Sequence, residues 1–223
     1  MHPVLRLWED VLSSDCAFEL PPMARMVFVV HGAASVGGKA IGDGKTWHGE
    51  GAVTVASGPQ GTTCWRWELV ADGAGGVPAG PGIVSRQKLS ARLETLPPGE
   101  LLMRGDTVAF PPGGCAYRHR HQGPGIRCLI EGGIRIDTHG RSTCYGPGGA
   151  WFESGPEPVF AQAAADRASR FIRVMILPRA LMGKSSIEYL DEADKAKPRT
   201  QQYKVLVDAP ITLPAARPHT HSG

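Results

Sequence analysis

The segment Tyr117-Arg118-His119-Arg120-His121 carries the residue types from which metal-dependent sites are built. On an extended strand side chains alternate between faces, so His119 and His121 share one face and can address a single ion. Two imidazoles rarely hold a divalent metal by themselves, because three or four protein ligands are usual. Completions lie close by: Gln122 adjoins the pair, Tyr117 falls on the same face, and Glu153 and Glu157 follow on a later stretch. Glu153 is favoured, since a carboxylate within a core strand is costly to bury unpaired. It either completes the set as a third ligand or pairs with an arginine such as Arg127. Two His and one carboxylate with open positions would suit Fe(II) or Mn(II), which would bind substrate or polarise an oxygen. Without a metal, the same two residues are pocket histidines bonded to water or backbone.

The elements that must position these residues read as strands. The 29 glycines and 19 prolines are dispersed among Val-, Ile- and Phe-rich segments, which predicts many turns between short strands and few helices. Val4, Leu7, Trp8, Val11 and Leu12 recur at helical spacing and predict one short amphipathic helix over residues 4–13. From Met23 the texture turns to strands, interrupted by ADGAGGVPAGPG at 71–82, which reads as a linker.

The two strand-rich halves resemble one another. VVHG at 29–32 corresponds to LIEG at 129–132, and Gly42, Gly44 and Trp47 correspond in order to Gly146, Gly148 and Trp151. CWRWELV at 64–70 matches FIRVMIL at 171–177, with Arg66 opposite Arg173. The offset drifts only from 100 to 107 residues, as expected of a duplication with loop insertions. The first copy has no strands ahead of its VVHG, and SSIEYL and YKVLVDAPITL after Pro178 are candidates to replace them.

Gly113, five residues, His119-Arg120-His121, four residues, Ile126, six residues, Gly133 resembles the first cupin motif, which has a glutamate where Ile126 stands. Together with the duplication, the resemblance implies an all-β bicupin: two unequal double-stranded β-helix (jelly-roll) barrels with the short N-terminal helix. Residues 1–75 would form a degenerate half, 76–88 a linker, 89–180 the cupin bearing the His pair, and 181–223 an extension packed on the N-terminal half. Proteins similar to this bind Fe, Mn, Ni or Zn through the paired His, the Glu and a later His. Here Val159 stands at the later His position, so the implied site is reduced to His119 and His121 with Glu153 as third ligand. Tyr117, Arg127 and Trp151 would shape a pocket for a small organic molecule, and the implied chemistry is dioxygenase-like. The alternative is a cupin that binds a small molecule as a sensor or store, without metal and without catalysis.

Composition removes other classes. The net charge of +3 comes from scattered residues and makes no basic stripe, so no nucleic-acid partner is expected. Five cysteines without a Cys-x-x-Cys pair argue against a disulfide framework or zinc knuckle. Glu9 and Asp10 interrupt any signal-like region, and no apolar run reaches membrane-spanning length. A cytoplasmic protein without membrane contact is expected, with a homodimer as its assembly because cupin barrels often pair through their sheets. His219-Thr220-His221 repeats the spacing near the end of the chain but has no apolar partner segment, and reads as a frayed tail.

Overall fold

The structure, a computed structural model, describes residues 2–71, 77, 78 and 80–214; the His219–His221 pair lies outside the described residues. The chain divides into two compact units, Met1–Glu94 with Thr212–Gly223, and Thr95–Ile211.

The first unit runs β1 (Val4–Leu12), β2 (Ala17–Leu20), β3 (Ala24–Val36), β4 (Lys39–Gly42), β5 (Thr46–Gly49), β6 (Val53–Val70) and β7 (Ile83–Arg92). They form one antiparallel sheet of order β4-β3-β6-β1-β7, with β2 also on β6 and β5 on β3. The second unit begins with β8 (Leu101–Phe110), β9 (Cys115–His121), β10 (Gly125–Glu131), β11 (Ile134–Thr138) and β12 (Arg141–Tyr145). It continues with β13 (Ala150–Glu153), β14 (Val159–Ala163), β15 (Ser169–Pro178), a helical turn at Arg179–Leu181, β16 (Ile187–Tyr189), α1 (Glu192–Lys195) and β17 (Gln202–Ile211). These strands make two five-stranded sheets, β13-β10-β15-β8-β17 and β12-β11-β14-β9-β16.

The helix expected over residues 4–13 is instead β1, paired on one side with β6 and on the other with β7. Val4, Leu5, Leu7, Trp8 and Leu12 are all buried, as in a strand covered on both faces. Such a strand reads as a near-continuous apolar run, which short helices share. The front strand that seemed absent from the first copy is therefore β1 itself. The boundaries shift accordingly: residues 83–92, placed partly in a linker, form β7 and belong to the first unit.

The C-terminal extension also departs from expectation. SSIEYL contributes β16, which pairs with β9, and YKVLVDAPITL contributes β17, which pairs with β8. Both serve the second unit, because β8 and β9 each had one open edge whose backbone groups needed partners. Only the stretch from Thr212 joins the first unit, where its N–H donates to Glu50 Oε1 at 2.7 Å.

The duplication is visible in the backbone. Gly32 and Gly132, which close VVHG and LIEG, have φ of 89° and 87°. A Cβ there would stand 2.5 Å from the Gly61 carbonyl and 2.3 Å from that of Ala168 respectively, so both positions require glycine. The interiors differ in content. Leu12, Phe18, Val27, Val29, Val55 and Cys64 help fill the first, while the second has Val108, Phe110, Leu129, Trp151, Val159 and Phe171. Each large side chain fully buried in this way contributes about 1.5–3 kcal/mol.

Candidate functional site

β9 positions the histidines. Val159 of β14 lies opposite His119, and its repeat equivalent Val55 of β6 lies opposite Phe18 of β2. The His pair of the second barrel therefore corresponds to Phe18 and Leu20 in the first, both buried in its apolar core. The same comparison sets Glu153 against Gly49 and Arg127 against Val27. The His119–His121 pair and the Arg127–Glu153 pair have no counterpart at those positions.

Tyr117 is not on the histidine face. The β9–β14 ladder carries a register shift, with Val159 opposite His119 but Ala161 opposite Ala116. One extra residue reverses the alternation. Ala116, His119 and His121 point inward, and Tyr117 lies under the Lys197 ammonium, 4.6 Å from its ring centre. Ile126, at the motif's glutamate position, is buried away from the chamber, while Arg127, one residue on, reaches into it.

The inward residues meet in a closed cluster. The His119 and His121 rings stand 4.9 Å apart, edge to face. His119 Nδ1 lies 2.6 Å from the Tyr117 carbonyl; a carbonyl only accepts, so Nδ1 carries the proton and Nε2 keeps its lone pair. His121 Nε2 faces Arg173 Nη1 and Glu153 Oε2, each at 3.5 Å. Arg173 is held by both oxygens of Asp106, at 2.6 and 3.1 Å. Arg127 donates to the Gly125 carbonyl at 2.7 Å and meets Glu153 Oε2 at 2.7 Å. Trp151 is a core residue rather than a chamber wall, and its indole N–H donates to Glu153 Oε1 at 2.8 Å.

Burial sets the ionisation of the cluster. It pushes both imidazoles below their ordinary range, and at His121 the positive fields of Arg173 and Arg127 add to it. Burial also lowers the Arg127 guanidinium to about 10, against the pull of Glu153. For Arg173 burial works the same way, but Asp106 outweighs it and holds the guanidinium above its ordinary value. At neutral pH the cluster is thus two guanidinium–carboxylate pairs and two neutral imidazoles, balanced in charge.

The structure therefore brings His119, His121 and Glu153 together, but these donors do not fit a resident divalent metal. Glu153 Oε1 takes the Trp151 indole N–H while Oε2 is ion-paired with Arg127, and the Arg173 guanidinium stands 3.5 Å from the His121 nitrogen that an ion would need. A dication would add two positive charges to a buried cluster that is already neutral and holds two guanidinium groups. Among the described residues, no group of three His, Cys, Asp or Glu is arranged to hold a metal. Of the two roles the sequence leaves open for Glu153, third ligand or arginine partner, the structure places it beside Arg127.

The sequence offers no sign of Asp106 or Tyr203 as site residues, and Arg173 enters it only as the repeat equivalent of Arg66. An arginine within the otherwise apolar FIRVMIL is the one local signal, because a buried guanidinium demands a carboxylate. The first barrel carries a related pair, Arg66 to Asp10 at 2.7 and 3.1 Å.

No family model matches this chain, and no curated protein does. Solved structures do match. AerE from Microcystis aeruginosa aligns over 80% of this chain and 89% of its own, with TM-score 0.59 and 10% identity. A deletion mutant of Bacillus subtilis oxalate decarboxylase aligns over 86% and 73%, with TM-score 0.61 and 13% identity. Another structure of that decarboxylase, from work on its Mn(II) centres, aligns over 76% and 68%, with TM-score 0.57 and 12% identity. Identities this low show the fold alone.

Proposed function

We propose that the second barrel of this all-β, bicupin-like chain with the cupin fold binds a small hydroxylated organic acid in its interior, without a resident metal. No helix among the described residues is long and apolar enough to cross a membrane. One observation carries this reading. Arg127 Nη2 and Glu153 Oε2 are 2.7 Å apart, yet neither completes a well-angled hydrogen bond, so a buried donor and a buried acceptor both keep unmet capacity. They line a cavity of about 20 Å³ together with His119, His121, Arg173 and Tyr203, which is room for one water. A hydroxyl satisfies both atoms at once, accepting from Arg127 and donating to Glu153. A carboxylate beside it would draw on Arg173 and on an Arg127 that needs to share only one of its nitrogens.

The oxygenase-like reading with Fe, Mn, Ni or Zn on His119, His121 and Glu153 is set aside for the reasons of donor engagement and charge given above. The binding reading makes no demand for turnover. Its test compares three two-carbon probes: glycolate, acetate without the hydroxyl, and ethylene glycol without the carboxylate. Binding to the native state stabilises it by mass action, by about 2.7 kcal/mol at a hundredfold excess over Kd. Glycolate is expected to raise the melting temperature, with the other two far weaker. Glu153→Gln should abolish the shift measured against that variant's own unliganded melt. Equal small shifts from all three probes, or the same glycolate shift in Glu153→Gln, would overturn the reading.

A further inference from the structure

The chamber lies between two sheets whose free edges on one side are β16 and β17, and no backbone ladder crosses that seam. What ties the edges is a side-chain latch. Gln201 Nε2 donates to the Tyr189 hydroxyl of β16 at 2.6 Å and to the Tyr203 hydroxyl of β17 at 3.0 Å. Tyr203 lines the chamber and stacks its ring on Arg173 at 5.3 Å. Tyr189 packs 6.1 Å from His119, its register partner on β9.

The segment from Ser185 to Gln201 is held lightly. Only Ser186, Tyr189 and Gln201 are buried in it. Toward the interior Ser186 adds a contact from its hydroxyl to Met175 Sδ at 3.9 Å, and its carbonyl accepts from the Gln122 N–H at 3.2 Å. On the outside stand Arg120 to Glu188 with two bonds of 2.9 Å, Leu190 N–H to the Arg118 carbonyl at 3.1 Å, Thr200 Oγ1 on the Cys115 backbone, and Lys197 over the Tyr117 ring. Exposed ion pairs of this kind add little. Its root, by contrast, is pinned. Arg104 donates to the carbonyls of Leu181 and Lys184, each at 2.6 Å, and pairs with Asp208. Between those anchor points Gly183 adopts φ of 71° and its N–H donates to Asp208 Oδ2 at 2.7 Å. Few buried contacts and edge-on hydrogen bonds mark a segment that opens at low cost.

We propose that residues 185–201 are a lid over the second-barrel chamber, hinged behind Lys184 and latched by Gln201 on Tyr189 and Tyr203. The proposal rests on the reading of the chamber as a ligand site, because a space for one water admits an organic acid only if a wall moves. It adds that β16 lifts from β9 and that the ligand enters along the histidine strand.

Access to the chamber is read without any ligand by acylation of His119 and His121 with diethyl pyrocarbonate, followed by peptide mass spectrometry, with exposed His139 as the internal standard. Arg120 and Glu188 are cross-strand partners at a separation of about 4.5–5.5 Å between Cα atoms, within disulfide range. In the variant Arg120→Cys with Glu188→Cys, oxidation should slow acylation of the pair roughly tenfold or more relative to the reduced form. The reduced form should react faster than wild type, and Gln201→Leu faster still. In wild-type protein, amide exchange at β16 should run ahead of exchange at β14, the other neighbour of β9. Equal acylation rates in oxidised and reduced protein, no acylation in any form, or equal protection of β16 and β14 would overturn the lid. Since none of these readouts uses glycolate, a chamber that opens but does not bind would count only against the binding reading.

Discussion

Asp106→Ala is expected to destabilise the second barrel by about 3–5 kcal/mol, the cost of leaving a buried charge without its partner. Arg173 is 6% exposed and both of its bonds to carboxylate go to Asp106. Among the described residues no other carboxylate pairs with its guanidinium, and Glu153 is already engaged by Arg127 and Trp151. Removing both charges should be far milder: Asp106→Val with Arg173→Met leaves no unpaired buried charge, and is expected to regain most of the loss. Chemical denaturation of the two single variants and the double gives the coupling directly. Additive losses in the double variant would show that the pair is not a unit. Asp10→Ala should behave alike in the first barrel, where Arg66 keeps Glu68 at 2.5 Å as a second partner and the loss should be smaller.

The second large effect is on pH. His119 and His121 titrate near 6.5 in the unfolded chain, and burial holds both lower in the native state. Between the native and unfolded values the unfolded chain binds more protons, so stability falls as pH falls. Above about pH 7.5 both states are neutral at these positions, and stability is flat with respect to them. Below 6.5 it declines by up to about 1.4 kcal/mol per pH unit for each imidazole, until the native values are reached. His48, half-buried and also lowered by burial, adds a smaller component in the same direction. The first barrel supplies the control, since its equivalents Phe18 and Leu20 are apolar. His119→Leu with His121→Leu should remove most of the slope in urea midpoints measured between about pH 7.5 and 5.5. A slope unchanged in that double variant would contradict the assignment.

Much of this was legible in the residues themselves. The repeat could be read from Gly32, Gly132, Trp47 and Trp151 because steric demands at a positive φ and at a core indole leave little choice of residue. His119 and His121 could be read as a pair because their spacing matches the strand period. Tyr117 could not be placed, because the register shift that turns it outward depends on β14, which follows it by some forty residues of chain. β1 was misread for a related reason: a strand buried on both faces loses the alternation that marks strands. The pairing of Arg173 with Asp106 is non-local, and nothing near either residue announces the other. Arg127 and Glu153 were each visible, and the alternative that paired them is the one the geometry favours. What the spacing of ligand-type residues could not convey was that two guanidinium groups share their chamber.

The central claim is that this chamber works with arginine where an ion would otherwise stand. Elemental analysis of protein purified without a tag tests it most directly, run beside the variant His119→Ala with His121→Ala. The account predicts metal far below one equivalent per chain, and the same low level in the variant. One equivalent of Fe, Mn, Ni or Zn in the wild type, lost when the two histidines are replaced, would contradict it.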